Sequence, residues 1–361
     1  MIDVLRLSAV VRAFSIEGEF ATAKPYGSGH IHDTYCVTFD GGRGERIILQ
    51  RINTAIFKNP IMVMENIERV TNHLRSRLAG KADMDRRVLQ LVSARNGACW
   101  HVDTEGRYWR GYRFIEGAHT YDAVNSPSQA FAAAKAFGEF QRLLADLQGQ
   151  RLHESIAGFH NTGKRFAAFE QAVDEERIGR RAEAKGEIAF AMLWKTLATA
   201  LQDAELPERV AHYDTKLNNV LLDDATGEGI CVIDLDTVMP GLAAYDFGDM
   251  VRTMTCSASE DERDLSRVTM DFELFDTVLR GYLEGAGDSL SECERDSLVI
   301  GAKVIVFEQG IRFLADFLAG DTYYKVSRPG QNLDRCRTQF KLLESIEQQE
   351  VAMVGLLRAL G

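Results

Sequence analysis

Two short apolar runs, VLL (220–222) and ICVI (230–233), interrupt a second half that otherwise reads as helical. DDATGEG separates them, and two such runs around a short loop containing glycine predict a β-hairpin. This hairpin constrains the chain more than any other feature, because antiparallel pairing decides which distant residues meet. Asn219 precedes the first run and Asp234 follows the second, at equal distances from the midpoint between Thr226 and Gly227. Residues related in this way lie opposite one another, about 4.5–5.5 Å apart. The hairpin therefore predicts an amide oxygen and a carboxylate side by side at its open end. Both are hard oxygen ligands of the kind Mg²⁺ takes. Asp236 is on the same face as Asp234, two residues further on.

The stretch leading into the hairpin, HYDTKLNNVLL (212–222), holds a His, an Asp, a Lys and two Asn before its aliphatic tail. A strand that needed only burial would not begin with so many polar groups. Asp214 is a candidate to orient a hydroxyl and accept its proton, and Lys216 can neutralise phosphate oxygens. With Asn219 and Asp234 as metal ligands, these are the parts that phosphoryl transfer requires, where catalysis is mostly positioning and charge stabilisation.

The chain has 361 residues, more than one hydrophobic core usually serves, so two lobes are expected. The strand signals fall in the first part. DTYCVTFD (33–40) and RIILQRI (46–52) read as a hairpin, and RRVLQLV (86–92), CWHVD (99–103) and RYWRGYRFIEG (107–117) read as further strands. Ile61, Met64, Ile67, Val70 and Leu74 have helical spacing between them, with Pro60 at the start. After Gly117, residues 126–147, 164–201 and most of the chain beyond 242 read as helix. The predicted fold class is α+β, with a small lobe over 1–117 built on an antiparallel sheet and a larger, mostly helical lobe over 118–361.

His212-x-Asp214-x-Lys216-x-x-Asn219, followed by Asp234, resembles the catalytic loop and metal aspartate of eukaryotic-type kinases. The helical second half and IDLDTVMPG (233–241) resemble the aminoglycoside phosphotransferase and choline kinase branch. Six stretches together look like bacterial N-acetylhexosamine 1-kinases: PYGSGHIHDTY (25–35), FHNTGKRF (159–166), HYDTKLNNVLLD (212–223), VIDLDTVMPG (232–241), DFGDMVR (246–252) and RFLADFLAGDTYY (312–324).

The resemblance implies a two-lobed protein-kinase-like fold, ATP and Mg²⁺ as cofactors, and transfer to the anomeric hydroxyl of a free sugar. It implies adenine under a hinge at RFIEG (113–117), which includes Glu116. It implies phosphates beneath the loop carrying Gly27 and Gly29, with His30 overhanging substrate or phosphate. Arg252 and Arg312 become sugar-site candidates, and Asp236 a further metal candidate. Arg312 has a local alternative, pairing with Asp316 one turn on. One departure stands out: the strand lysine that usually grips the α/β-phosphates is missing from IILQRI. Gln50 or Arg51 falls in its place, and alternation does not choose between them. Arg51 is the electrostatically sensible candidate, with Glu65 or Glu68 to pair it.

Three motifs compete with this reading. VIDLDTV (232–238) matches the first aspartate motif of haloacid-dehalogenase-type phosphatases, but that fold needs alternating strands and helices afterwards, and the residues after 242 read as mostly helical. A literal DFG (246–248) follows no apolar strand, so Asp246 with Asp249 reads as a helix start. GDSL (287–290) lies between helices with no strand before it. His212 is expected to pack and hydrogen-bond rather than act as a base.

Composition limits the partners. A net charge of −11 argues against a broad nucleic-acid or anionic-lipid surface. Six scattered cysteines show no metal spacing and suggest a reducing compartment. No stretch approaches the roughly 20 apolar residues of a membrane span. The expectation is a cytoplasmic monomer whose partners are a nucleotide and a small sugar.

Overall fold

The computed structural model describes residues 4–27, 29, 31–41 and 45–360. The chain opens with helix α1 (Val4–Val11) and strands β1 (Glu19–Pro25), β2 (Asp33–Asp40) and β3 (Arg46–Arg51). Helix α2 (Pro60–Arg77) follows, then a single turn α3 (Met84–Arg87) and strands β4 (Leu91–Val92), β5 (His101–Val102) and β6 (Tyr108–Arg113). The sheet order is β1-β2-β3-β6-β4, with β5 also on β6, and every pairing is antiparallel.

Strand alternation explains the sheet. Val37, Ile47, Leu49 and Trp109 face α1 and form one buried cluster with Leu7, Val10 and Phe14. Ile48 and Gln50 on β3, with Arg110 and Tyr112 on β6, face the other way, into a cleft. The strand expected over 86–92 is reduced to Leu91–Val92. Side-chain bonds win over strand propensity there: Asp83 accepts from Arg87 Nε at 2.7 Å, and Gln90 Nε2 reaches back to Asp85 Oδ1 at 2.9 Å.

The second part runs β7 (Ala118–His119), α4 (Pro127–Leu144), α5 (Thr162–Glu175), α6 (Lys185–Leu193), β8 (Arg209–Ala211), β9 (Val220–Asp223), β10 (Gly229–Val232) and β11 (Met239–Gly241). Helices α7 (Ala243–Met254), α8 (Phe272–Ala286), α9 (Glu292–Asp296), α10 (Leu298–Ala319) and α11 (Gln331–Ala359) complete it. The helix expected over 164–201 is broken: Glu176 adopts a left-handed conformation (φ 40°) after α5, and a new helix begins at Lys185. β7 pairs with β9, so the chain joins the hairpin sheet directly after Gly117.

Helices α4 and α8 approach closely because glycines lie between them. A Cβ at Gly285 would lie 2.1 Å from the Lys135 carbonyl oxygen. The literal DFG serves the same purpose: a Cβ at Gly248 would lie 2.4 Å from Gly301 O, so this glycine lets α7 pack on α10.

Helix α2 belongs to a core shared with the second part. Its Ile67, Val70 and Leu74 pack in one cluster with Phe140 and Leu144 of α4, and with Cys231, Leu235 and Val238. Buried Asn66 fastens it further. Its amide donates to His153 O (2.8 Å) and Val238 O (3.0 Å), and its Oδ1 accepts from His153 N (2.9 Å).

Candidate active site

A cleft of about 660 Å³ lies between the first sheet and the β9–β10 hairpin, and Asp214, Lys216, Asn219 and Asp234 all line it. The loop after β8 is held by its backbone. Asp246, in the first turn of α7, accepts from His212 N and Tyr213 N, both at 2.8 Å. Thr215 Oγ1 donates to Asp246 O at 2.6 Å. The sequence suggests Asp246 as a cap of its own helix; the cap residue is Leu242, and this carboxylate serves the loop instead. Burial pushes the Asp246 carboxyl up to about 7, against the two amides that favour its charge. Tyr213 sits at φ 67°, a left-handed conformation that costs a bulky residue energy.

His212 is buried, edge-on to Phe137 and Phe140. Its Nε2 faces Ile233 O at 2.9 Å and its Nδ1 accepts from Asp214 N at 3.3 Å. These contacts select a neutral ring with Nε2 protonated, and burial lowers its pKa. It braces the loop against the hairpin.

Asp214 is bonded on both oxygens. Lys216 Nζ lies 2.6 Å from Oδ1, and Asn219 Nδ2 donates to Oδ2 at 2.8 Å. Burial alone would raise this carboxyl; the Lys216 charge and these bonds outweigh it and hold it below the usual range. Asp214 is thus an ionised acceptor beside a cation. Asn218 also lines the cleft, its amide 3.3 Å from Asp122 Oδ1.

The hairpin forms, but its register differs by one from the symmetric count. Val220 opposes Val232, and a bulge between Gly229 and Cys231 shifts the pairing. The residue bonded to Asn219 O is therefore Ile233, through its N–H at 2.9 Å. Asp234 still reaches the cleft, because it turns into a left-handed conformation (φ 58°) two residues after the strand ends. It is open to the cleft but deep within it. That depth, with Asp236 and then Asp214 nearby, pushes its carboxyl well above the usual range.

Oxygen atoms of Asp234 and Asp236 and a ring nitrogen of His32 lie within 4.8 Å of one another. His32 does not fit as a ligand: its Nδ1 accepts from Asn53 N at 3.1 Å, so Nε2 carries the proton and faces Asp236 at 3.5 Å. Asp236 is committed elsewhere. Arg110, almost wholly buried, donates to Oδ1 at 2.7 Å and Oδ2 at 2.5 Å. Burial opposes the charge of Asp236, but Arg110 and then His32 hold it well below the usual range. The metal expectation for Asp236 therefore gives way to an ion pair. What fits a divalent ion is Asp234 with the side-chain Oδ1 of Asn219, since the Asn219 Nδ2 already points at Asp214.

The other expected residues divide between the cleft and its surroundings. Gly27 and Gly29 line the cleft; His30 lies outside the described residues. Gln50 faces the cleft and Arg51 does not. Arg51 shares its strand face with Ile47 and Leu49 and pairs with Asp33. Neither proposed helix glutamate meets Arg51, since Glu65 pairs with His153 (2.8 Å) and Glu68 accepts from Cys99 Sγ (3.1 Å). The Glu116 side chain turns outward to Arg46, while Phe114, Ile115 and Ala118 line the cleft at the hinge.

Arg252, on α7, is held by Asp249 at 2.8 Å and feels the charge of Asp214. Arg312 lies over the rings of Phe159 and Tyr324, and donates to Gln309 Oε1 at 3.1 Å. Its pairing with Asp316 does not form, because Asp316 accepts from the backbone of Thr322, Tyr323 and Tyr324. Burial, and then the nearby charge of Arg312, lower the hold of Arg165 on its proton. Nothing in the sequence singles out Arg110 or Arg165; only the resemblance of FHNTGKRF points near the second.

A family model described as the phosphotransferase enzyme family matches residues 22–286. Solved structures match nearly end to end. A microcompartment-associated aminopropanol kinase is 17% identical, covers 97% of this chain and 98% of its own, and superposes with a TM-score of 0.64. An amicoumacin kinase in complex with AMP-PNP and Ca²⁺ is 12% identical over 94% and 93%, with a TM-score of 0.58. The choline kinase of Cryptosporidium parvum Iowa II is 13% identical over 93% and 91%, with a TM-score of 0.53. The fold is protein-kinase-like, a mixed α+β architecture.

Proposed function

From the premise that this chain belongs to the phosphotransferase enzyme family, we propose that it is an ATP- and Mg²⁺-dependent kinase of a free N-acetylhexosamine, such as GlcNAc or GalNAc, acting on the anomeric hydroxyl. The observation that carries the kinase reading is the ionised Asp214, held between Lys216 and Asn219 at the edge of a cleft that also contains Asp234.

Asp214 accepts a hydrogen bond from the acceptor hydroxyl and takes its proton as the oxygen attacks the γ-phosphorus. The bond from that phosphorus to the bridging oxygen breaks, giving the sugar 1-phosphate and ADP. Lys216 offsets charge at the transferring group. Asn219 and Asp234 would hold Mg²⁺, which supplies neutralisation of the β/γ-phosphate oxygens. The hinge carries Ile115 and Ala118 toward an adenine, and Gly27 and Gly29 allow backbone to approach the phosphates.

The acceptor class is supported by the groups near Asp214. Arg165, Arg252 and Arg312 cluster with Phe159 and Tyr324, and the carboxylates of Asp249, Glu260 and Glu308 partly offset their charge. Guanidinium forks suit the hydroxyl and amide oxygens of a neutral acceptor and repel an ammonium group, while the aromatic faces would accept either a sugar ring or a cation. The alternative is another small alcohol of aminoglycoside, choline or homoserine type. The acidic net charge and the acceptors named for the similar structures support it. An ADP-release screen over free sugars, amino sugars, choline and aminoglycosides separates the two. Turnover with GlcNAc or GalNAc is expected; turnover confined to cationic acceptors would sink the sugar reading.

A further inference from the structure

We propose that Arg110 is the positioning residue of the metal loop, holding Asp236 and, through it, the direction of Asp234. The inference rests on the kinase reading above.

Arg110 is carried by β6, directly across from Gln50 on β3. Its Nε donates to Gln50 Oε1 at 2.9 Å, and Gln50 Nε2 donates in turn to Thr34 Oγ1 at 3.1 Å. Three adjacent strands therefore orient one guanidinium. That guanidinium crosses the cleft and grips both oxygens of Asp236, two residues after Asp234. His32 approaches the same carboxylate from the start of the sheet at 3.5 Å. A bidentate fork fixes the carboxylate plane as well as its position. Asp236 lies in the short turn that Asp234 opens in its left-handed conformation, so fixing Asp236 fixes where the Asp234 carboxylate points. Neither Arg51 nor the α2 glutamates can perform this task, because each is paired elsewhere. Arg110 lines the cleft but is almost wholly buried, with its guanidinium taken up by Asp236, which suits a residue that acts through Asp234 rather than on phosphate.

The test uses the full chain and needs no acceptor. Removing Arg110 alone would strand a buried carboxylate, so Arg110→Met is combined with Asp236→Leu, which deletes both charges. Arg110→Lys keeps the charge and loses the fork. Calorimetry then measures adenosine, ATP, and ATP with Mn²⁺. For the double variant, adenosine affinity should stay within about twofold, while the gain in ATP affinity on adding Mn²⁺ falls at least tenfold. Arg110→Lys should lie between it and wild type, and serves if the double variant does not fold. An undiminished Mn²⁺-dependent gain in either folded variant would overturn the proposal, as would equal losses for adenosine and metal–ATP. Wild-type protein without any metal-dependent ATP binding would overturn the kinase reading itself. Failure of every sugar in the acceptor screen would leave this measurement standing.

Discussion

Replacing Asp246 by Asn should destabilise the protein in a pH-dependent way that reports how this carboxyl is held. The wild-type group accepts two backbone N–H bonds at 2.8 Å, and an amide side chain offers only one acceptor oxygen. One buried N–H, of His212 or Tyr213, is left facing an NH₂ group, at a cost of about 1–3 kcal/mol. Linkage adds a second contribution. Burial raises the folded-state carboxyl from 3.8 to about 7. A raised folded value means that the native protein keeps a proton the unfolded chain has already lost. That contribution is full below about pH 4 and is lost as pH rises through about 7. Each unit corresponds to about 1.4 kcal/mol, so its loss between about pH 5 and pH 8 amounts to roughly 2–3 kcal/mol. The asparagine variant lacks this contribution. The stability gap between wild type and variant should therefore be largest near pH 5 and shrink by about that amount by pH 8. Urea unfolding at four pH values measures it. A gap that stays constant, or widens as pH rises, would show that Asp246 is ionised throughout the folded range and that the burial argument is wrong.

Asp214→Asn should lower kcat by about a hundred- to ten-thousand-fold in the ADP-release assay, with ATP affinity by calorimetry within about twofold of wild type. Lys216→Met removes the charge that holds Asp214 below the usual range, so the acid limb of the kcat–pH profile should move to higher pH; an unmoved limb would refute that coupling. Gly285→Ala should cost about 3 kcal/mol or more in unfolding free energy, since its Cβ would meet the Lys135 carbonyl at 2.1 Å and helix backbone has little room to give.

The parts of the fold visible in the sequence are those that local chemistry writes. The β2–β3 hairpin follows from its alternation, and α2 and α4 follow from their helical pattern with Pro60 and Pro127 at the starts, where the structure adds Asn59 and Ser126 as caps. Gln50 and Arg51 could not be told apart because both faces of the sheet are covered, one by α1 and the other by the cleft and α2, so burial leaves no polar face to count from. The hairpin bulge at Gly229–Cys231 moved the partner of Asn219 by one residue, and nothing in its composition marks it. Asp246 looked like a helix start because the backbone amides it serves are more than thirty residues upstream. Arg110 was illegible for the same reason: an arginine in YWRGYR states nothing about an aspartate 126 residues later.

Asn66 has a consequence for how far α2 can move. Drawing α2 outward would part the core that it shares with α4 and the turn after β10. Here such a swing must break three hydrogen bonds and strand buried main-chain groups of His153 and Val238. At about 1 kcal/mol or more for each bond, the withdrawn state is limited to roughly one molecule in a hundred or fewer. The helix is a fixed fitting rather than a valve. Helix α2 therefore moves with the second part of the chain and not with the sheet that precedes it.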